Sequence, residues 1–423
     1  LPALRIPSLE IFRHRQFAQF WAARWFATLA IQIQATAMGW QVYDSARAHG
    51  QSIVEGAFTL GLVGLAQFLP LLVLSLFGGQ AADRYNRQLI ITACILAKAA
   101  ILLGLVIASG MGPEIVIPAV FAAAITAGMI NAFLPPAASA LMPMLLPREE
   151  LPQGIAWSSL AFQSALIIGP AIGGLLYAFG PVIPYSSALI LLVISAVLMF
   201  LLKPPTQEPV KDARTVGMIM EGLRYVWSNK IVLGAISLDL VVVLLAGAVA
   251  LLPVFARDIL HAGPGELGVL RSAMGVGAAS VALWLAVNPL RQRVGMWMFG
   301  STIVFGLATI VFGLSEYLWL TAFALAIAGG VDMISVYVRS SLIQLATPDA
   351  MRGRVAAVSF VFISASNELG DFEAGVMARI FGPVAAVVIG GVGAVAASLW
   401  WMRLFPALAK ADGFELMDDS AKR

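Results

Sequence analysis

Polar chemistry is scarce in this sequence. Of 423 residues only 12% are charged, three are histidine and one is cysteine. The lone Cys94 lies in an apolar run, so no intrachain disulfide is expected and the redox compartment stays open. His14, His49 and His261 all fall outside the apolar runs, which excludes a histidine metal site or proton relay within them. No G-x-x-x-x-G-K-[ST] phosphate loop and no H-x-x-x-x-D acyltransferase string occurs, and the loops are too short for a catalytic domain. Neither catalysis nor a cofactor is expected, and no nucleic-acid partner. No signal peptide with a cleavage site is read ahead of the first apolar run.

What the chain does have is apolar length. Hydrophobic residues make up 60% of it and the mean hydropathy is +0.90. That composition belongs to a polytopic helical membrane protein. Residues 1–16, with Arg5, Arg13 and Arg15 among apolar side chains, read as an interfacial helix on an anionic leaflet. Six spans fit into residues 17–203 and six more into 231–403, each able to cross ~30 Å of hydrocarbon. Between them, 204–230 reads as a linker with an amphipathic helix at Val216–Trp227 lying on the membrane, and 404–423 as a tail. Span four is read as ending where Pro135 and Pro136 break it, and span seven as continuous over Ile231–Phe255. With the N-terminus inside, 19 of the 26 basic residues fall in cytoplasmic segments, which predicts both termini in the cytoplasm.

The string Leu76-Phe77-Gly78-Gly79-Gln80-Ala81-Ala82-Asp83-Arg84-Tyr85-Asn86-Arg87 lies between two apolar runs and reads as a tight polar turn joining spans two and three. Its glycines permit close helix approach, Asp83 can stabilise a helix N-terminus, and Arg84 and Arg87 can reach carbonyl ends or phosphates. Asn86 is read as tolerating a left-handed turn. The string resembles the G-x-x-x-D-R-x-G-R-[RK] loop of the major facilitator superfamily at Gly79, Asp83, Arg84 and Arg87, with Asn86 and Gln88 as departures. That resemblance implies an all-α fold of twelve transmembrane helices in two pseudo-symmetric six-helix bundles, in a bacterial-type inner membrane, with a monomer sufficing. Internal repetition agrees: the Pro147-Arg148-Glu149-Glu150 turn recurs as the turn from Pro348 to Arg352 and Arg354, displaced by 201 residues. Such duplication places a substrate site near the membrane midplane.

Gly169-Pro170-x-x-Gly173-Gly174 resembles the helix-five signature of the superfamily's antiporters, which implies export. The context around Pro135-Pro136 and Pro147-Arg148 resembles the branch holding siderophore exporters and macrolide efflux proteins. In the second half, Glu368, Asp371 and Glu373 stand in mid-span eleven, Asp332 and Arg339 share a face of span ten, and Asp239 lies in span seven. A carboxylate there is costly when charged, so these acids are candidates to carry a proton across the membrane. The alternative reading makes some of them structural, for example Arg339 paired with Asp332, with Glu368 and Asp371 the favoured functional pair. Arg24, Trp21, Trp25, Gln32, Gln34, Phe133, Asn367 and Arg339 are candidates to bind substrate, and Lys98 a snorkelling or structural cation. The leading expectation is a proton-coupled exporter of a bulky organic compound, siderophore-like or drug-like. The alternatives are a divalent-metal carrier using Asp239, Asp332, Glu368 and Asp371 as oxygen ligands, and a lysophospholipid flippase.

Overall fold

The computed structural model describes residues 9–204, 215–290 and 292–412, and among these it contains helices and no strands. Twelve long helices follow in order: α1 (Arg15–Ala48), α2 (Ile53–Arg84), α3 (Arg87–Ser109), α4 (Pro113–Leu141), α5 (Leu151–Tyr177), α6 (Val182–Phe200), α7 (Lys230–Leu245), α8 (Pro264–Val287), α9 (Val294–Leu314), α10 (Leu318–Ala346), α11 (Asp349–Phe381) and α12 (Pro383–Leu404). Ten helical segments among the described residues are long and apolar enough to cross a membrane. The two helices not among them, α1 and α11, are the longest and the most polar of the twelve. Polar side chains persist in a span only where protein or water receives them, so these two helices are where function is to be sought.

The chain forms two compact units. One holds α1, α2 from Leu65 onward, α3 to α6 and α8 up to Ser272. The other holds Ile53–Gly64 of α2, α7, α8 from Ala273 and α9 to α12. Within the first, Gly174 meets Gly268 backbone to backbone, and Ser272 Oγ donates to the Ile167 carbonyl at 2.7 Å. Within the second, Gly375 meets Gly61 in the same way. Gly174 and Gly375 are displaced by the same 201 residues as the two proline turns. Those turns share a backbone: Pro147 (φ −58°, ψ 151°) accepts from Glu150 N–H at 3.0 Å, Pro348 (φ −56°, ψ 147°) from Met351 N–H at 2.8 Å.

Several sequence expectations are corrected. The polar string after Leu76 is not a loop, because α2 continues through Arg84 and only Tyr85 and Asn86 turn. Asn86 is not left-handed: at φ −61° it caps α3, its side chain accepting from Leu89 N–H at 3.3 Å. Pro135 and Pro136 do not end α4, which runs to Leu141. In hydrocarbon a broken helix exposes more backbone than a proline orphans, so continuing is cheaper. Pro136 leaves the Ala132 carbonyl without its usual donor, and that oxygen rests where a Gly78 side chain would be. Span seven is interrupted: α7 stops at Leu245, Ala246 and Gly247 are irregular, and short 3-10, α and π turns follow to Ile259.

The segments flanking the spans are docked on protein. The 3-10 turn Leu9–Arg13 buries Ile11, and Arg13 and His14 both reach Glu150 at 2.9 Å. The chain beyond α12 folds back on α9: Arg293 N–H donates to the Asp412 carbonyl at 2.5 Å, and Gly295 N–H to that of Ala411 at 3.1 Å. Arg293 is left-handed (φ 53°), and Asp412 Oδ1 supplies a further acceptor at 3.3 Å. The second-half loop that lacks its own acid thus takes one from this segment.

Gly78 and Gly79 can be told apart by substitution. A methyl on Gly78 overlaps the Ala132 carbonyl, whereas one on Gly79 meets nothing within 4 Å. Gly78→Ala should lower the thermal midpoint of detergent-purified protein by several degrees. Gly79→Ala should leave it unchanged or raise it, since alanine favours a helix by about 1 kcal/mol over glycine. Equal midpoints for the two variants would count against the α2–α4 packing described above.

Candidate functional site

In the first unit the site is built on α1, which packs one face on α5 and another on α6. Gly169 and Gly173 lie against Gln32 and Ile33, so the two backbones are close and Gln32 sits in the seam. Trp21 and Trp25 stack in parallel at 6.4 Å. Their indole N–H groups are committed to α5, to the Trp157 carbonyl at 2.8 Å and to Ser164 Oγ at 3.0 Å, and Phe12, Trp157 and Phe26 pack against the same pair of rings. Gln34 is two positions from Gln32, hence on nearly the opposite side of the helix, and it is buried. It shares a face with Gln41, which bonds Ser109 at 2.9 Å and Tyr185 at 2.6 Å, and so belongs to the bundle interior. Phe133 stands apart, where α4 meets α2 at Gly78.

Arg24 is the unusual residue of α1. It is partly buried, and among the described residues its guanidinium has no carboxylate or other polar partner. One turn of helix separates it from Trp21 on one side and Thr28 on the other. Lys98 differs: it is buried in α3 and engaged, so it does not snorkel to lipid.

In the second unit Arg339 pairs with Asp239 of α7, not with Asp332 of its own helix. Both partners are buried, so this is a structural bond between α7 and α10. Asp332 lies seven residues along α10 from Arg339, on the same face, and has no described partner. Counting the same seven residues along α7 from Asp239 reaches Ala246, so Asp332 stands level with the break in span seven.

The same break touches α11, where Gly247 meets the Gly370 backbone and the turn Ala248–Leu251 packs on the helix. Glu373, one turn beyond Gly370, is partly buried and also lacks a described partner. Glu368 and Asp371 occupy the opposite side of α11, facing α2. A methyl on Gly64 would sit 2.8 Å from the Asp371 Cβ and 3.1 Å from the Glu368 carbonyl. Both acids are engaged rather than free. Asn367 is exposed. Among the described residues no three His, Cys, Asp or Glu side chains converge as metal ligands.

Around the helix ends, Arg87 donates from Nε to the Ala82 carbonyl at 3.0 Å and from a terminal nitrogen to that of Ala140 at 3.1 Å, tying α2 to α4. Gln88, where the superfamily pattern has a base, donates to the Met199 and Leu202 carbonyls at 2.8 and 2.7 Å and closes the end of α6. Asp83 is half-buried and engaged; Arg84 is exposed. The Pro170 carbonyl abuts Gly268 in the Gly174 seam. Arg354 pairs with Glu221 at 2.5 Å, and the Arg352 side chain lies outside the described residues.

Sequence reading missed two features that it contained. Gly370-Asp371-x-x-Ala374-Gly375 repeats the helix-five string at the 201-residue displacement, with Asp371 in the place of Pro170. Gly247 and Pro253 within an apolar run are the residues that mark the break in span seven.

Comparison with known proteins agrees with this architecture. The family described as transmembrane secretion effector matches residues 6–417. Enterobactin exporter EntS of Citrobacter koseri is 26% identical over 401 residues, 94% of this chain and 93% of the relative. Its counterpart in Shigella boydii is 28% identical over 408 residues, 96% of this chain and 90% of the relative. Among solved structures, a D-xylose–proton symporter superposes with a TM-score of 0.73 at 12% identity, covering 93% of this chain and 98% of the other. A bacterial homologue of the iron transporter ferroportin gives 0.66 at 16% identity, covering 95% and 99%. At such identities the two structures speak to the fold alone.

The Asp239–Arg339 pair yields a direct test. Asp239→Asn leaves a buried cation unpaired and should destabilise the protein by about 3–5 kcal/mol, read as loss of monodisperse protein or a sharply lowered melting point. Adding Arg339→Gln should restore much of that loss. A double variant no more stable than the single one would show that the two side chains do not depend on each other.

Proposed function

Because the chain belongs to the transmembrane secretion effector family of the major facilitator superfamily, we propose that it is a proton-coupled secondary exporter of a bulky, anionic aromatic compound, working by alternating access. The observation that carries this reading is Arg24, a cation without a described partner beside the stacked faces of Trp21 and Trp25. An isolated guanidinium in an apolar bundle is costly. A substrate that brings both an anion and aromatic surface offsets that cost through charge pairing and stacking. Catecholate siderophores and acidic amphiphilic drugs have this chemistry, and the relatives named enterobactin exporter support the first of these.

Coupling is assigned to Asp332 and Glu373. Both stand near the break in span seven, a helix end of the kind whose last carbonyls lack intrahelical donors, and neither has a described partner. Protonated, each can donate to an exposed carbonyl; ionised, each must find water or a cation. Protonation thereby changes how α10 and α11 sit against the broken span. Glu368 and Asp371 hold the seam to α2 and serve the movement rather than the proton. Asp83, Arg87, Pro170 and Gly174 act at helix ends and seams that the movement works on. Substrate contact by Asn367 and Phe133 is a lesser part of the reading. The protein is placed in a bacterial-type inner membrane with both termini in the cytoplasm, acting as a monomer. A metal-carrier reading is not favoured, since Asp239 is bound to Arg339 and no described trio of ligands converges.

The test is transport of enterobactin by purified protein in proteoliposomes under an imposed pH gradient. Asp332→Asn and Glu373→Gln should each cut gradient-driven accumulation at least tenfold while counterflow survives. Arg24→Gln should raise half-saturation about tenfold, or ~1.4 kcal/mol. Full response to the gradient in both acid variants would remove the coupling assignment, and unchanged affinity in Arg24→Gln would remove the substrate assignment.

A further inference from the structure

The helix Thr215–Ser228, which precedes α7, has two faces with different partners. Its inner face is docked on the second unit. Gly222 packs so closely on the Arg354 backbone of α11 that a methyl there would sit 2.9 Å from the Arg354 carbonyl oxygen, and Val226 is buried. Glu221 reaches Arg354 at 2.5 Å. Tyr225 donates its hydroxyl to the carbonyl of Ala346, the last residue of α10. Asn229 bonds the same hydroxyl at 3.3 Å and caps α7 by accepting from Ile231 and Val232 N–H groups at 3.1 and 3.2 Å. One short helix therefore touches the ends of α7, α10 and α11.

Its outer face is uncovered. Met220 and Trp227 are exposed at 54% and 71%, and Arg224 lies between them at helical spacing on the same side. Lys230 is exposed just beyond. Neither cation has a partner among the described residues, in contrast to Arg354, which Glu221 neutralises. The helix ends one residue before a membrane span, so this face lies at the level of lipid headgroups. Large apolar side chains flanking unpaired cations at that level match an anionic phospholipid: methionine and tryptophan enter the acyl boundary, and arginine and lysine meet phosphate.

We infer that this face binds anionic phospholipid and that occupancy is transmitted through Tyr225, Gly222 and Glu221 to α10 and α11. Lipid charge then sets how firmly the ends of the acid-bearing spans are held. The inference does not depend on the substrate or the proton assignment.

Hydrogen exchange read by mass spectrometry tests it on the full chain in nanodiscs. Discs of phosphatidylcholine alone are compared with discs containing phosphatidylglycerol. Amides of 217–228 should exchange several-fold more slowly with the anionic lipid, and those of 343–358 should slow with them. The difference should shrink in high salt and vanish in Arg224→Gln, Lys230→Gln, both exposed positions whose change leaves the fold intact. Tyr225→Phe should keep the response in the helix and lose it at 343–346. Equal exchange in both lipids, or an undiminished response in the double charge variant, would overturn the binding surface. A helix that responds while 343–358 does not would overturn the transmission.

Discussion

A lipid bilayer gives apolar helices no hydrophobic reason to associate, so contact here depends on backbones coming close enough for dispersion and weak C–H···O contacts. Glycine supplies that closeness at each seam: Gly169 and Gly173 on α1, Gly174 on Gly268, Gly61 on Gly375, Gly247 on Gly370, Gly306 on Gly391. None of these pairs needs a polar anchor. Of the charged side chains inside the spans, Asp239 with Arg339, Lys98, Glu368 and Asp371 are engaged, whereas Arg24, Asp332 and Glu373 have no described partner. Arg24, Asp332 and Glu373 are available for chemistry because packing has been settled elsewhere.

The repeated scaffold has also been specialised. Gly169 and Gly370, and Gly174 and Gly375, are equivalent positions in the two halves, yet the residue after the first glycine is proline in one and aspartate in the other. Proline orphans a carbonyl without adding charge; aspartate adds charge without disturbing the backbone. Charge follows the same division. Among the described residues of mid-span, Arg24 without a partner belongs to one unit, and Asp332 and Glu373 without one to the other. On the function proposed above, substrate and proton would be handled by different halves.

Span number and approximate limits were legible because a run of apolar residues long enough to cross hydrocarbon has few alternatives. The repeat was legible in the paired proline turns. What escaped was decided by atoms rather than composition. Asp332 and Arg339 share a helix face, but so does any pair seven apart, and the arginine finds Asp239 on a neighbouring helix instead. Hydropathy cannot see the break after Leu245, because the residues on both sides are equally apolar. Gly78 and Gly79 are chemically identical neighbours, and only the place of the Ala132 carbonyl distinguishes them. Trp21, Trp25 and Gln32 were recognised as candidates, while the burial of Gln34 required knowing which side of α1 meets which neighbour.

The capping of α9 by Asp412 carries a consequence for biosynthesis. The N–H of Arg293 receives its acceptors from a residue 119 positions downstream. When α9 leaves the ribosome and enters the membrane, that terminus has only water or lipid headgroups to bond. Three further spans must be threaded before the missing acceptors exist. The second unit can therefore insert vectorially, helix by helix, but it can close only after translation has passed Asp412. A nascent chain arrested after α12 but before Asp412 would already hold the packing of α9 on α10 and α12 and still present an open end to cellular quality control.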